Sequence, residues 1–358
     1  MKHYLSLGIS LFFFVLFEFL LIYFIMPFPG SQTRDMVWLS YPLYQSRWIS
    51  RILVLLFILF FSYHTFRYSS IGKIQSLITW IIIGSCFYLV SSVLSADTMF
   101  KRIETLSFNR TDSSGVNQGV MGLTINGKAK AYPLEIIGYH HFIQDSILGQ
   151  TYLVTYCTVC HSGRVFSPYI EGKLLQFRLV GMDRFNAMLE DNETKSWWRQ
   201  ATGECIAGIY KGRVLKELSF YQGSEKEWFN KYPESLTLKP DPKYMADYQS
   251  LSGFFNGTIQ GGLIGVDTNV GWNSKSWVIG VEVEGFSKAY LWKDVLLYGP
   301  FVDTLGHKQV EVYADSNSNT FYIHDYLTDS SYKVYQEFWH SWKAFHPNTQ
   351  QKISYTRR

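Results

Sequence analysis

Val120-Met121-Gly122-Leu123-Thr124-Ile125, then Asn126-Gly127, then Lys128-Ala129-Lys130-Ala131-Tyr132, is the stretch that decides the fold. The first six residues alternate as a half-buried strand does, and Asn-Gly is the type I′ turn that folds a strand back on itself. The same phrase returns as Val278-Ile279-Gly280-Val281-Glu282-Val283, Glu284-Gly285 and Lys288-Ala289-Tyr290. Gly122, Gly127, Lys130, Ala131, Tyr132 and Asp145 match Gly280, Gly285, Lys288, Ala289, Tyr290 and Asp303 at one constant spacing. Leu148-Gly149 matches Leu305-Gly306 one residue off that register. Trp228 followed by Pro233 rhymes with Trp342 followed by Pro347. Two degenerate copies of a hairpin, short helix and strand are too few for a solenoid. They predict one pseudo-symmetric module, with a first half-repeat over about 115–245 and a second over about 275–355.

Upstream the pattern changes. The chain has 358 residues and is 47% hydrophobic and 18% aromatic. Apolar runs extend from about Leu5 to Met26, Trp48 to Tyr63 and Ile74 to Leu94. A helix needs roughly 20 residues to cross the hydrocarbon core. The first and third runs qualify, and the second does if Arg51 snorkels to the interface. The first run is too long for a cleaved signal peptide, no small-residue cleavage site follows it, and Pro27-Phe28-Pro29-Gly30 reads as a loop leaving a retained helix. The expected fold class is therefore an α+β, mainly β module (99–358) preceded by about three transmembrane helices (1–98). Glu18 lies inside the first span, where an ionisable group is costly. It reads either as functional or as the partner of Arg51 or His64.

Net charge is +4, with Lys and Arg scattered, so there is no electrostatic footprint for nucleic acid. With the N-terminus inside, Lys2, Arg67 and Lys73 face the cytoplasm, while Arg34, Arg47, Arg51, Lys101 and Arg102 lie outside. That distribution carries no positive-inside signal. An odd number of spans puts the module opposite the N-terminus.

The four cysteines are too few for a disulfide scaffold. Cys86 sits in an apolar run and Cys205 is isolated, but Cys157 and Cys160 form a C-x-x-C pair. Where the first copy has His140-His141, the second has Tyr298-Gly299, and the second copy has no cysteine. A scaffold that folds twice does not need residues present once, so these point to a site. Three chemistries compete. Thiolates with His140, His141 or His161 suit zinc or copper. A dithiol could cycle with its disulfide, tuned by a nearby imidazole, although the strand-like surround is not that of a thioredoxin. Cys157-Thr158-Val159-Cys160-His161 is also the c-type haem string, with Met182 or Met188 as axial candidates. A structural disulfide or zinc staple is the bland alternative. Asp183 and Asp191 are candidates for carboxylates hydrogen-bonded to ligands. Trp197 and Trp198 would line a carbohydrate or protein groove if the module only binds. No P-loop, Rossmann fingerprint, G-x-S-x-G or H-E-x-x-H is present.

Ala131-Tyr132-Pro133-Leu134, His140-His141, Asp145, Gly149, Val154-Thr155-Tyr156-Cys157 and Cys160 together resemble the bacterial DUF3179 family, a domain of unknown function. Asp191, Thr194, Ser196, Trp197 or Trp198, Gln200, Gly203, Gly208 and Gly212 look like its second block, and Trp228 with Tyr232-Pro233 like its closing element. The resemblance covers roughly Gly115 to Tyr244. The family usually has Pro-Leu or similar between its cysteines and no fixed residue after the second. Thr158, Val159 and His161 depart from that, which implies that the haem string is accidental. The resemblance implies a secreted or membrane-anchored bacterial protein, hence a multi-pass protein of the inner membrane with an extracytoplasmic module. It implies no reaction. The expectation is a membrane-anchored envelope protein with a metal-binding or thiol-redox centre at Cys157 and Cys160, partnered by the lipid bilayer and by an unidentified small molecule or protein. The alternative is a non-catalytic binding or structural module.

Overall fold

The computed structural model describes residues 2–68, 70–110, 119–251, 272–315 and 320–352. The expected repeat boundaries at 115 and 355 lie outside them.

Three long helices open the chain: α1 (Lys2–Tyr23), α2 (Val37–Tyr68) and α3 (Ser70–Tyr88), the last prolonged by a π-helical turn, Leu89–Val93. All three are long and apolar enough to cross a membrane. They are apolar nearly all round, and Leu5, Phe12, Ile52, Leu56, Ile74 and Leu77 stay exposed on their outer faces. Such faces need lipid rather than water. Helix α2 begins eleven residues before the expected second span because its first turns are too polar and aromatic to register as apolar. Those turns pack on the module instead, with Tyr41 and Tyr44 edge-on to Trp197 at 5.0 and 5.6 Å. Arg51 does not snorkel. It is buried and forks onto Glu18, with Nε and Nη2 donating to the two carboxylate oxygens at 2.6 and 2.7 Å. Glu18 is thus paired with Arg51, in the two-pronged geometry guanidinium favours. His64 stacks on His3.

The module is β-rich and folds twice on one plan. In the first half, β1 (Phe108–Asn109), β2 (Val120–Ile125) and β3 (Lys128–Pro133) precede a short helix, Leu134–His140. Strands β4 (Phe142–Ile147), β5 (Gln150–Cys157) and β6 (Ser162–Phe166) then form an antiparallel sheet. After an insertion carrying β7 (Tyr169–Ile170), β8 (Lys173–Leu174), β9 (Phe177–Asp183), β10 (Asn186–Asp191), β11 (Trp197–Arg199) and β12 (Cys205–Ala207), the plan resumes. Strand β13 (Tyr221–Gly223), the helix Glu225–Lys231 and β14 (Leu236–Leu238) complete it. The second half runs through β15 (Trp277–Val283), β16 (Phe286–Leu291), the helix Trp292–Tyr298, β17 (Phe301–Leu305), β18 (Lys308–Asp315), β19 (Thr320–Asp325), β20 (Val334–Phe338), the helix Trp339–Phe345 and β21 (Gln350–Gln351).

The sheet orders agree element for element: β14-β3-β2-β13 against β21-β16-β15-β20, and β4-β5-β6 against β17-β18-β19. Register agrees as well, since Gly122 faces Ala131 and Gly280 faces Ala289. The matched residues carry matched contacts. Lys130 bonds Asp145 at 2.7 Å and Lys288 bonds Asp303 at 2.8 Å. The Trp228 indole donates to Ser235 Oγ, and the Trp342 indole to Thr349 Oγ1, both at 2.8 Å. Each glycine is required because a tryptophan covers it: a Cβ on Gly122 or Gly280 would fall 2.3 Å from the ring of Trp228 or Trp342. Gly280→Val must displace the fully buried Trp342. Such overpacking is expected to destabilise the module by about 3 kcal/mol. Thermal unfolding of the purified chain checks this, and an unchanged midpoint would refute it.

The insertion has no counterpart in the second half, and it joins the module to the helices. Met182 N–H donates to the Ile25 carbonyl at 2.7 Å, the Gln45 side chain reaches Glu190 at 3.2 Å, and Arg178 donates to the Tyr44 hydroxyl at 3.0 Å. Gly181 permits this approach, since a Cβ there would lie 2.3 Å from the Ile25 oxygen.

Candidate functional site

The β5–β6 hairpin sets the site. Cys157 ends β5 opposite Ser162, and Cys160 lies in the turn between them. His161 has a left-handed backbone, φ 56°, which turns the chain into β6. Both cysteines are free and fully buried. Their sulfurs converge on one acceptor, the Phe185 carbonyl, at 3.6 Å from Cys157 and 3.2 Å from Cys160. Phe185 belongs to the β9–β10 turn, so the insertion supplies this wall. Its backbone N–H in turn faces Gln32 Oε1 at 3.4 Å, in the loop after α1.

The second half closes the other side. Phe338 N–H donates to the Cys160 carbonyl at 2.8 Å. Lys275 donates to the carbonyl of Val159, in the turn that joins the cysteines, at 2.5 Å, with its ammonium 4.6 Å from the Phe338 ring centre. Lys275 is buried, and among the described residues no carboxylate faces it; the charges acting on it are those of Cys160 and Cys157. Burial lowers its pKa, and the thiols oppose that shift. At Cys157, burial pushes the thiol up. Hydrogen bonds from Cys160 and from backbone N–H groups, together with the Lys275 charge, outweigh burial and hold it below the ordinary thiol range. Cys160 is pushed well above that range by burial and by Cys157. The two shifts run in opposite directions, so Cys157 is the more acidic thiol of the pair, and the Lys275 charge favours its ionisation.

The histidines lie differently from expectation. His140 has both nitrogens engaged, Nδ1 with the Lys101 carbonyl at 2.6 Å and Nε2 with the Tyr248 hydroxyl at 2.8 Å. His141 Nδ1 faces the Tyr156 carbonyl at 3.3 Å, and its pKa falls to about 4, chiefly through burial. His161 Nδ1 contacts the Tyr156 hydroxyl, and its ring lies within 5.0 Å of those of Trp277 and Phe338. Burial and the nearby Lys275 charge push its pKa down to about 3, so it is a neutral ring rather than a cation that tunes the thiols. Among the described residues, no three His, Cys, Asp or Glu side chains are grouped to hold a metal ion. Asp183 is engaged by Arg199, and Asp191 by Thr194 Oγ1 at 2.8 Å and the Trp198 indole at 2.9 Å. Met188 is buried in the cluster that holds Trp197 and Val180. Trp197 and Trp198 line no groove. Both are fully buried, their indoles tied to Glu190 and Asp191, because a buried indole N–H needs an acceptor.

Four residues of the site had no sequence signal: Phe185, Asn186, Lys275 and His340. The Asn186 side chain bonds Cys160, while its buried Oδ1 has no hydrogen-bond partner among the described residues. His340 Nδ1 faces the Ser274 carbonyl at 3.0 Å and therefore carries the ring proton, leaving buried Nε2 as an acceptor with no donor among the described residues. No spacing rule brings these positions to the hairpin, which Lys275 reaches from 116 residues away. The one available hint was that Lys275 follows the first copy and precedes the strand that begins the second.

The fold and site define a class: chains with three membrane-length helices and a two-copy, mainly β module that buries a pair of free cysteines. This chain belongs to the DUF3179 family, described as a protein of unknown function, whose model matches residues 102–332. The match runs well past Tyr244, through most of the second half. No curated protein and no solved structure matches the chain.

Proposed function

We propose that Cys157 and Cys160 form a dithiol–disulfide couple in a membrane-anchored protein of the bacterial inner membrane, with the module on the extracytoplasmic side. The observation that carries this reading is the pair of free, buried thiols converging on the Phe185 carbonyl, with buried Lys275 bonded to the Val159 carbonyl of the same turn, where its charge favours ionisation of Cys157. A thiolate, not a thiol, is the nucleophile of disulfide exchange. Cys157 would attack one sulfur of a partner's disulfide, forming a mixed disulfide and expelling the partner's first thiolate. Cys160 would then give up its proton and attack the Cys157 sulfur, expelling the second. The dithiol loses two electrons, the partner's disulfide gains them, and the leaving thiolates take up protons. Both sulfurs are covered, so exchange needs an opening at the Phe185 turn or at the second half's cover. The substrate class is a disulfide, in a protein or a small thiol compound. His140 has both ring nitrogens engaged, and among the described residues no third His, Cys, Asp or Glu is grouped with the two thiols as a zinc or copper shell would need. The His161 ring packs against Trp277 and Phe338 with Nδ1 on the Tyr156 hydroxyl, which favours a packing role over a haem ligand.

Thiol counting on the purified chain, equilibrated against mixtures of reduced and oxidised glutathione, tests the proposal. Two thiols are expected to appear and disappear together in the wild type, and Cys157→Ser is expected to abolish that step. Two thiols that never oxidise, or near-stoichiometric zinc, copper or iron that vanishes when both cysteines become serine, would overturn it.

A further inference from the structure

A cleft of about 150 Å³ opens where the three long helices meet the module. One wall is apolar, formed by Ile22 within the end of α1, Ile25 just after it, and Val90 and Leu94 beyond α3. The other carries Arg47. The cations around it are not equivalent. Arg51 is neutralised by Glu18 at 2.6 Å, and Arg178 by Glu190 at 2.7 Å and Asp97 at 3.2 Å. Asp97, the one acid in the lining, is therefore engaged. Arg47 folds back on its own helix, donating to the Tyr44 carbonyl at 2.6 Å with its guanidinium 3.9 Å from the Tyr44 ring centre. Among the described residues no carboxylate pairs with it. Its neighbour Trp48 is 54% exposed, and exposed tryptophan belongs at the headgroup level of a bilayer. Arg47 lies one turn toward the module from the buried Arg51, which sets it at the water side of that belt.

We propose that this cleft binds the headgroup phosphate of an anionic phospholipid. Arg47 donates to the phosphodiester oxygens, and the adjoining acyl chain lies along the apolar wall. Guanidinium offers a planar fork that matches phosphate, and an uncompensated charge here favours a lipid with net negative charge. The apolar wall favours a lipid over a free anion. The inference rests on the helices crossing a bilayer and not on the thiol chemistry, so either can fail alone.

Native mass spectrometry of the detergent-solubilised full chain tests it, with phosphatidylglycerol, phosphatidylcholine and free glycerol phosphate as probes. Phosphatidylglycerol is expected to be retained about tenfold more than phosphatidylcholine, a difference of about 1.4 kcal/mol. Arg47→Ala is expected to remove that preference and Arg47→Lys to restore part of it. Arg67→Ala, which removes a cation from the far end of α2, should change nothing. Equal retention by wild type and Arg47→Ala would overturn the proposal. So would an equal loss in Arg67→Ala, which would mean general charge attraction, or glycerol phosphate binding as well as the lipid, which would mean a small-anion site.

Discussion

Lys275→Met is expected to raise the Cys157 thiol pKa and to slow its alkylation near neutral pH by about threefold, the loss of one of several interactions that favour the thiolate. The sign follows from the charges. A thiol whose pKa lies below the usual value of about 8.5 keeps its thiolate, and so its reactivity, at pH values where an ordinary cysteine is protonated. Burial alone pushes both thiols the other way. Removing the ammonium leaves burial less opposed, so the thiolate would persist only at higher pH. Ultraviolet thiolate absorbance and the pH profile of alkylation both report the change. Lys275→Arg should restore part of it, because the charge is kept while the amine's reach to the Val159 carbonyl is altered. A merely structural lysine would shift the unfolding temperature and leave the thiol titration where it was. That outcome would remove the main support for the redox reading.

Glu337→Ala is expected to destabilise the module by about 3–5 kcal/mol, the range for stripping one partner from a buried ion pair. Arg164 on β6 donates Nη2 to Glu337 on β20 at 2.7 Å, and both side chains are at most 3% exposed. Arg164 also donates to the Ala201 carbonyl at 3.0 Å and the Gly163 carbonyl at 2.8 Å, and its guanidinium lies 4.2 Å from the Tyr335 ring centre. The pair therefore ties the first half, the insertion and the second half together. Without Glu337 the guanidinium stays buried with carbonyl oxygens as its hydrogen-bond acceptors and Glu217 as its remaining nearby carboxylate, so desolvation is offset less. Arg164→Met in the same chain should recover much of the loss, since removing both charges can be nearly neutral. Denaturant unfolding of the two single variants and the double variant measures this. If the double variant is destabilised by the sum of the singles, the two charges do not act as a pair.

The repeat was legible because its marks are local. Alternation, an Asn-Gly or Glu-Gly turn, and a Lys-Ala-Tyr strand recur at fixed spacing, and each half repeats the same sheet register around them. The rhyme of Trp228 with Trp342 was legible too, but its reason was not: each ring lies on a glycine of the opposite element. The thiol pair could be found from C-x-x-C and from its absence in the second copy. Its neighbours could not. The histidines nearest in sequence turned out to be held by Lys101, Tyr248 and Tyr156, because a buried imidazole takes the hydrogen bonds its packing offers. The early start of α2 was hidden for a similar reason. Tyr41, Tyr44 and Gln45 are too polar to read as a span, yet they are helical because they dock on the module.

Taken alone, the sequence determined three apolar helices, a mainly β module in two copies, membership of one family and a lone C-x-x-C. These are periodic or contiguous properties, set by hydration of side chains within a few residues of one another. Only the tertiary structure decided that Glu18 is neutralised by Arg51, that the insertion binds the module to the helices, and that Lys275 stands beside Cys157. Each depends on the balance of charge and hydrogen bonding inside a packed interior, where the partner is chosen by proximity in space and carries no mark along the chain.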